Sequence, residues 1–136
     1  MQAQSRILVL EDDESVSSLI CDVLGSDYDV EACDAPRQAL KMLKQKPYDL
    51  LILDLGLPGI DGVQVIEQIR AEPSLARMGI LVVSAYYDLR RRVPSGQVSA
   101  VLPKPFSVSE LREQAAAILG HRQGAERSTP RYARSD

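Results

Sequence analysis

The hydrophobic positions of this chain fall into short unbroken runs, and each run ends in a polar or charged side chain. Ile7 to Leu10 (ILVL) runs into Glu11, Asp12 and Asp13; Leu50 to Leu53 (LLIL) into Asp54; Ile80 to Val83 (ILVV) into Ser84; and the shorter Ala100 to Leu102 leads through Pro103 to Lys104. Runs of this length without alternation suit strands buried on both faces. A weaker strand is expected over Asp27 to Cys33. Between the strands the period changes to that of a helix. Val16, Leu19, Ile20, Val23 and Leu24 make one apolar face, closed by Gly25 as a left-handed C-cap. Asp34 serves as an N-cap, Pro36 lies in the first turn, and Ala39, Leu40 and Leu43 form the stripe of a second helix. Val63 to Ala71 comes next, with Val65, Ile66 and Ile69 inward and Pro73 as its stop. Ser107 and Glu110 make a capping box for a last helix with Val108, Leu111, Ala115, Ile118 and Leu119 on one face, ended by Gly120. The pattern is poorest from Tyr86 to Gln97, where Pro94 and Gly96 cut short whatever the charged run Asp88 to Arg92 begins, and a short or irregular fourth helix is expected. Residues 1–121 therefore read as one folded domain and 122–136 as a disordered tail or truncated linker.

Strands alternating with helices imply right-handed crossovers and a parallel sheet covered on both faces, a three-layer α/β/α architecture. All C-terminal strand ends then share one edge, the edge at which open parallel sheets bind ligands. Glu11, Asp12 and Asp54 meet there as carboxylates, with Ser84 as a hydroxyl and Lys104 as an ammonium. Asp54 stands at the tip of the central strand, before the turn formers Pro58, Gly59 and Gly62. A lone strand-end Asp often does no more than cap a loop; the coincidence of polar ends on one edge favours chemistry instead. Neighbouring carboxylates repel unless a cation joins them. Oxygen-only donors, with neither His nor Cys at this edge, favour Mg²⁺ over Zn²⁺. A carboxylate beside Mg²⁺, a lysine and a hydroxyl can attack phosphorus, because the cations neutralise charge on the transferred oxygens.

Composition narrows the partners. The chain has 136 residues, 45% of them hydrophobic, and a formal charge of −3. Without a concentrated basic face, direct nucleic-acid binding is not expected. No apolar run approaches the roughly 18 to 20 residues that span a bilayer, and Met1 to Arg6 lacks the pattern of a signal peptide, so no membrane partner is expected and the expected location is cytoplasmic. Cys21 and Cys33 have neither metal-ligand nor redox spacing and read as reduced thiols.

With these residues in view, the chain resembles the receiver domains of two-component response regulators. The likeness rests on EDD from Glu11, LDLGLPGIDG from Leu53, VVSA from Val82 and KPF from Lys104, in that order and spacing, and it covers nearly the whole folded part. It implies a flavodoxin-like, doubly wound sheet of five parallel strands in the order 2-1-3-4-5. It also implies that Asp54 accepts a phosphoryl group from the phosphohistidine of a sensor histidine kinase or a phosphotransfer protein. Asp12, Asp54 and the main-chain carbonyl of Gly56 would bind Mg²⁺ directly, with Glu11 acting largely through water. Ser84 would follow the phosphoryl oxygens and Lys104 would pair with them, positioned by a cis bond to Pro105. Gly56 and Tyr86 would flank the path of a water that removes the phosphoryl group.

The likeness has departures. Val101 stands where the family carries the aromatic of its switch, the stretch from Ser84 to Lys104 is about two residues short of the family's usual length, and Pro103 removes a strand N–H. The expected function is thus a phosphorylation-controlled signalling module that changes the binding of a downstream protein, with the loop from Ala85 through Gln97 as the expected switch. It would not be an enzyme beyond catalysing its own phosphorylation and dephosphorylation. Two alternatives stand beside it: an unphosphorylated, receiver-like interaction domain, and a Mg²⁺-dependent phosphohydrolase using an aspartyl-phosphate. The latter typically needs a second acid where this chain has Gly56. A homodimer is left open, as is whether the chain is a stand-alone regulator or a receiver cut from a longer protein.

Overall fold

Five segments enter one parallel sheet in the order β2-β1-β3-β4-β5. The computed structural model describes residues 4–57, 59, 61–85 and 96–123. The strands are β1 (Arg6–Leu10), β2 (Asp29–Cys33), β3 (Leu50–Leu53), β4 (Gly79–Ala85) and β5 (Ala100–Lys104). The helices are α1 (Glu14–Leu24), α2 (Pro36–Gln45), α3 (Gly62–Ala71) and α4 (Val108–Gln123), with a 3₁₀ turn at Pro73–Leu75. The fold is flavodoxin-like. Central strands without alternation are explained by helices on both sides. Leu8, Leu10, Leu51, Leu53 and Val82 face α2 and α3 through Ala39, Leu43, Val65, Ile66 and Ile69. Ile7, Val9, Ile52, Leu81 and Val83 face α1 and α4 through Ile20, Leu24, Leu111, Ala115 and Leu119.

Several local expectations need correction. Leu19 is 41% exposed. It lies at the margin of a stripe centred on Ile20, Val23 and Leu24, close to a right angle from the core direction at about 100° per residue. Gly25 ends α1 in right-handed geometry (φ −68°, ψ −15°), its N–H bonding Cys21 O, so it is no left-handed cap. The N-cap of α2 is Ala35, with no side-chain cap bond, and not Asp34. Pro36 takes the first helical position, which leaves Asp34 one residue too early. Strand β2 starts at Asp29 because the N–H groups of Asp27 and Tyr28 turn back to Leu24 O. Val108 is 38% exposed, and α4 continues past Gly120 to Gln123. A single glycine costs a helix only about 1 kcal/mol and does not compel it to stop.

Other expectations hold. The capping box is formed: Ser107 Oγ accepts from Glu110 N–H at 3.0 Å and Glu110 Oε1 accepts from Ser107 N–H at 2.8 Å. The Lys104–Pro105 peptide is cis. Strand β5 runs on through Pro103, which pairs in register with Ser84. Among the described residues β5 is an edge strand, and an edge strand tolerates a missing N–H on its unpaired side. The expected fourth helix and most of the expected switch loop, including Tyr86, fall on residues 86–95, outside the described residues, as does most of the expected tail.

Candidate functional site

Strand β3 delivers Asp54 to the C-terminal edge of the sheet between two strands that are themselves buried, so Asp54 is 8% exposed although it lies beyond the strand's last residue. Two glycines shape the connection from Asp54 to α3. Gly59 adopts φ +83°, open to glycine at little cost. Gly62 starts α3 so close to the Asp54–Leu55 backbone that a Cβ there would lie 2.6 Å from Leu55 Cα. Asp61 caps the same helix, its Oδ1 accepting from Val63 N–H at 3.0 Å.

Around Asp54 the donors converge from three strand ends. Oδ1 accepts from the Ser84 hydroxyl at 2.7 Å and from Gly56 N–H at 3.0 Å. Oδ2 accepts from Lys104 Nζ at 3.2 Å. The same ammonium lies 2.9 Å from Glu11 Oε1, while Glu11 Oε2 accepts from Asp13 N–H at 3.1 Å. Lys104 thus bridges the two buried carboxylates, Glu11 being 3% exposed. The run of acids after β1 divides its work. Glu11 turns inward, Asp12 is exposed, and Asp13 caps α1, its Oδ1 accepting from Ser15 and Val16 N–H.

The carboxylates sit in unequal fields. Burial pushes the Glu11 carboxyl above its ordinary range despite the pull of Lys104 and Asp13 N–H, and Asp54 adds to the rise. Burial also acts on Asp54, but Gly56 N–H, the Ser84 hydroxyl and Lys104 outweigh it and hold Asp54 below the usual carboxylate value. For Lys104, burial favours the neutral amine, yet Glu11 and Asp54 together raise it. The geometry therefore favours an ionised Asp54 facing an ammonium, the state a nucleophilic carboxylate needs.

Carboxylate oxygens of Glu11, Asp12 and Asp54 lie within 4.8 Å of one another. The set fits Mg²⁺. Its donors are hard oxygens, and the Lys104 ammonium already stands against two of the three, which marks the place as one a cation stabilises. Three carboxylates and one ammonium leave a formal charge that one divalent ion cancels. The expected residues Glu11, Asp12, Asp54, Ser84 and Lys104 are thus brought to one edge. Gly56 joins them through its N–H as well as by position, a role that a search for side-chain chemistry passes over. The N–H of Asp13 escapes such a search too, since main-chain donors leave no mark in the sequence beyond the turn that aims them.

The family model of the response regulator receiver domain matches residues 7–116. The sensor histidine kinase TmoS of Ectopseudomonas mendocina is 35% identical over 118 residues, which cover 85% of this chain and 12% of TmoS. The transcriptional regulatory protein KdpE of Staphylococcus aureus is 36% identical over 119 residues, covering 85% of this chain and 50% of KdpE. The chain therefore spans half or less of these relatives. The response regulator TrrA of Thermotoga maritima, solved in complex with Mg²⁺ and BeF, superposes with a TM-score of 0.75 at 30% identity, covering 84% of this chain and 98% of that one. With the family model matching most of the folded part and the acid, hydroxyl and lysine positions meeting at one edge, this chain belongs to the response regulator receiver domains of two-component systems.

Proposed function

We propose that this domain takes a phosphoryl group from the phosphohistidine of a sensor histidine kinase, or of a phosphotransfer protein, onto Asp54, and that the modified domain binds a downstream protein differently. The observation that carries the reading is Asp54 itself: a buried carboxylate held ionised by three donors, Gly56 N–H, Ser84 Oγ and Lys104 Nζ, at 3.0, 2.7 and 3.2 Å. In the transfer a carboxylate oxygen forms a bond to phosphorus. The phosphorus–nitrogen bond breaks, and its electron pair stays on the imidazole, which takes up a proton. Asp12, Asp54 and the carbonyl of Gly56 would hold Mg²⁺ directly, with Glu11 acting largely through water, and the ion would neutralise charge on the phosphoryl oxygens. Lys104 supplies the second positive charge, and the Ser84 hydroxyl, wholly buried and 2.7 Å from Asp54 Oδ1, supplies a hydrogen-bond donor beside the acceptor carboxylate. Gly56 contributes no second acid, so the residues serve phosphorylation of the domain itself and loss of that group rather than turnover of a separate substrate.

Intact-mass measurement after incubation with a small phosphodonor tests this. The wild type should gain one phosphoryl group with Mg²⁺ and none with a chelator, and Asp54→Asn and Asp12→Ala should gain none. Absence of the adduct on the wild type would return the chain to an unphosphorylated interaction domain.

A further inference from the structure

Arg70 stands at the opposite end of the sheet from Asp54, yet its contacts bear on the site. It lies in the last turn of α3, where a cation suits the helix dipole, and capping its own helix would be the plain account of it. The guanidinium instead reaches beyond α3. Its Nε donates to Gln97 O at 2.8 Å, and its Nη1 donates to Ala76 O and to Met78 O, both at 3.0 Å. Met78 immediately precedes β4, and Gln97 lies three residues before β5. One planar group therefore ties the approaches to both strands. Ser99 adds a second fastening at the same end: its N–H donates to Ile80 O at 2.8 Å and its Oγ accepts from Ile80 N–H at 3.1 Å.

These two strands carry Ser84 and Lys104, which hold Asp54, and Lys104 pairs in register with Ala85. Among the described residues strand β5 has a neighbour on one side only, and Pro103 withholds a donor within its five residues, so its ladder is a weak specifier of register. A slip of one residue would move Lys104 by about 3.3 Å and turn it to the other face of the sheet, out of reach of Asp54 and Glu11.

We propose that Arg70 is a positioning residue: by clamping Gln97 O to Ala76 O and Met78 O, it sets β5 against β4 and so places Lys104 at the phosphoacceptor site. The inference rests on the proposed role of Asp54. Arg70→Met keeps the aliphatic stem and removes the donors, whereas Arg70→Lys keeps a charge that cannot span the carbonyls. Hydrogen exchange, which involves no phosphoryl transfer, should show loss of protection over Ser99 to Lys104 in both variants, with α1 and β1 unchanged. With a small phosphodonor at saturating Mg²⁺, Arg70→Met should be labelled about tenfold more slowly, the scale of a misplaced catalytic group. Its Mg²⁺ affinity, read by calorimetry, should stay within about twofold, because the three carboxylates follow β1 and β3, away from the clamp. In a Lys104→Met background the same change should cost nothing further. Equal slowing in both backgrounds, or unchanged protection of β5, overturns the proposal. Should Arg70→Met not fold, Ser99→Ala replaces it, and the same two readings decide. A wild type that takes no phosphoryl group contradicts the role of Asp54, while the exchange result still decides whether Arg70 sets β5.

Discussion

Glu11 shares one ammonium with Asp54 inside the fold, and burial holds its carboxyl above the ordinary range while Asp54 is held below. The two therefore act on stability with opposite sign. Asp54 contributes stability above its unfolded value that is lost as pH falls through its depressed folded value. Ionised Glu11 costs stability above its raised folded value, and that cost is relieved as pH falls through it. Glu11→Gln should accordingly raise the urea midpoint of the metal-free protein at neutral pH and weaken Mg²⁺ binding. A lowered midpoint with affinity unchanged would remove Glu11 from the metal site. The two thiols differ in burial. Burial pushes the Cys33 thiol up to about 11, and Cys33 is closed off, whereas Cys21 is half-buried. Iodoacetamide at mildly alkaline pH should modify Cys21 well before Cys33, and Cys33 only on unfolding, as mass mapping would record.

Among the elements, α3 and α4 start from features that can be broken singly. Ser107→Ala removes the reciprocal bonds with Glu110 at the start of α4 and should cost about 1 kcal/mol in urea unfolding. Gly62→Ala should cost more, about 1–3 kcal/mol, because its Cβ meets Leu55 backbone, and it should slow labelling of Asp54, the chain neighbour of Leu55. A Gly62→Ala protein as stable and as quickly labelled as wild type would show that the close approach is not needed. Elements also differ in how far the sequence discloses them. Strands buried on both faces announce themselves, and β3 has the bounds its LLIL run predicts because Asp49 and Asp54 end the apolar stretch on either side. Helix ends depend on a few φ/ψ values and on competing caps, so Gly25, Asp34 and Gly120 mislead, and Leu19 and Val108 mislead at the margins of their apolar stripes. The site is legible wherever a side chain carries the chemistry. Gly56 N–H, Asp13 N–H and the Arg70 clamp are hidden, because their bonds involve main-chain atoms brought close only by the fold.

For the whole molecule, parallel topology turns separate stretches of sequence into one acidic edge, and the chain retains that edge at the cost of burying like charges. A ligand that binds the folded state alone should offset part of that cost. Mg²⁺ at about 100 times its dissociation constant should stabilise the wild type by roughly 2.7 kcal/mol, and Asp12→Ala should lose most of the gain in calorimetric melting. Equal shifts in both proteins would place the ion elsewhere. No helix among the described residues is long and apolar enough to cross a membrane. Val101, 39% exposed opposite Val82, gives β5 no aromatic to swing inward, so the response to phosphorylation should leave Ala100 to Leu102 nearly unchanged in hydrogen exchange. That response depends on Asp54 being the residue that carries the phosphoryl group. The direct measurement is reduction of the phosphorylated protein with tritiated borohydride, which converts an acyl phosphate to a labelled alcohol, followed by peptide mapping. Label confined to position 54 and dependent on Mg²⁺ is the predicted result; label at Asp12 or Glu11, or none on a protein that has gained a phosphoryl group, would contradict it.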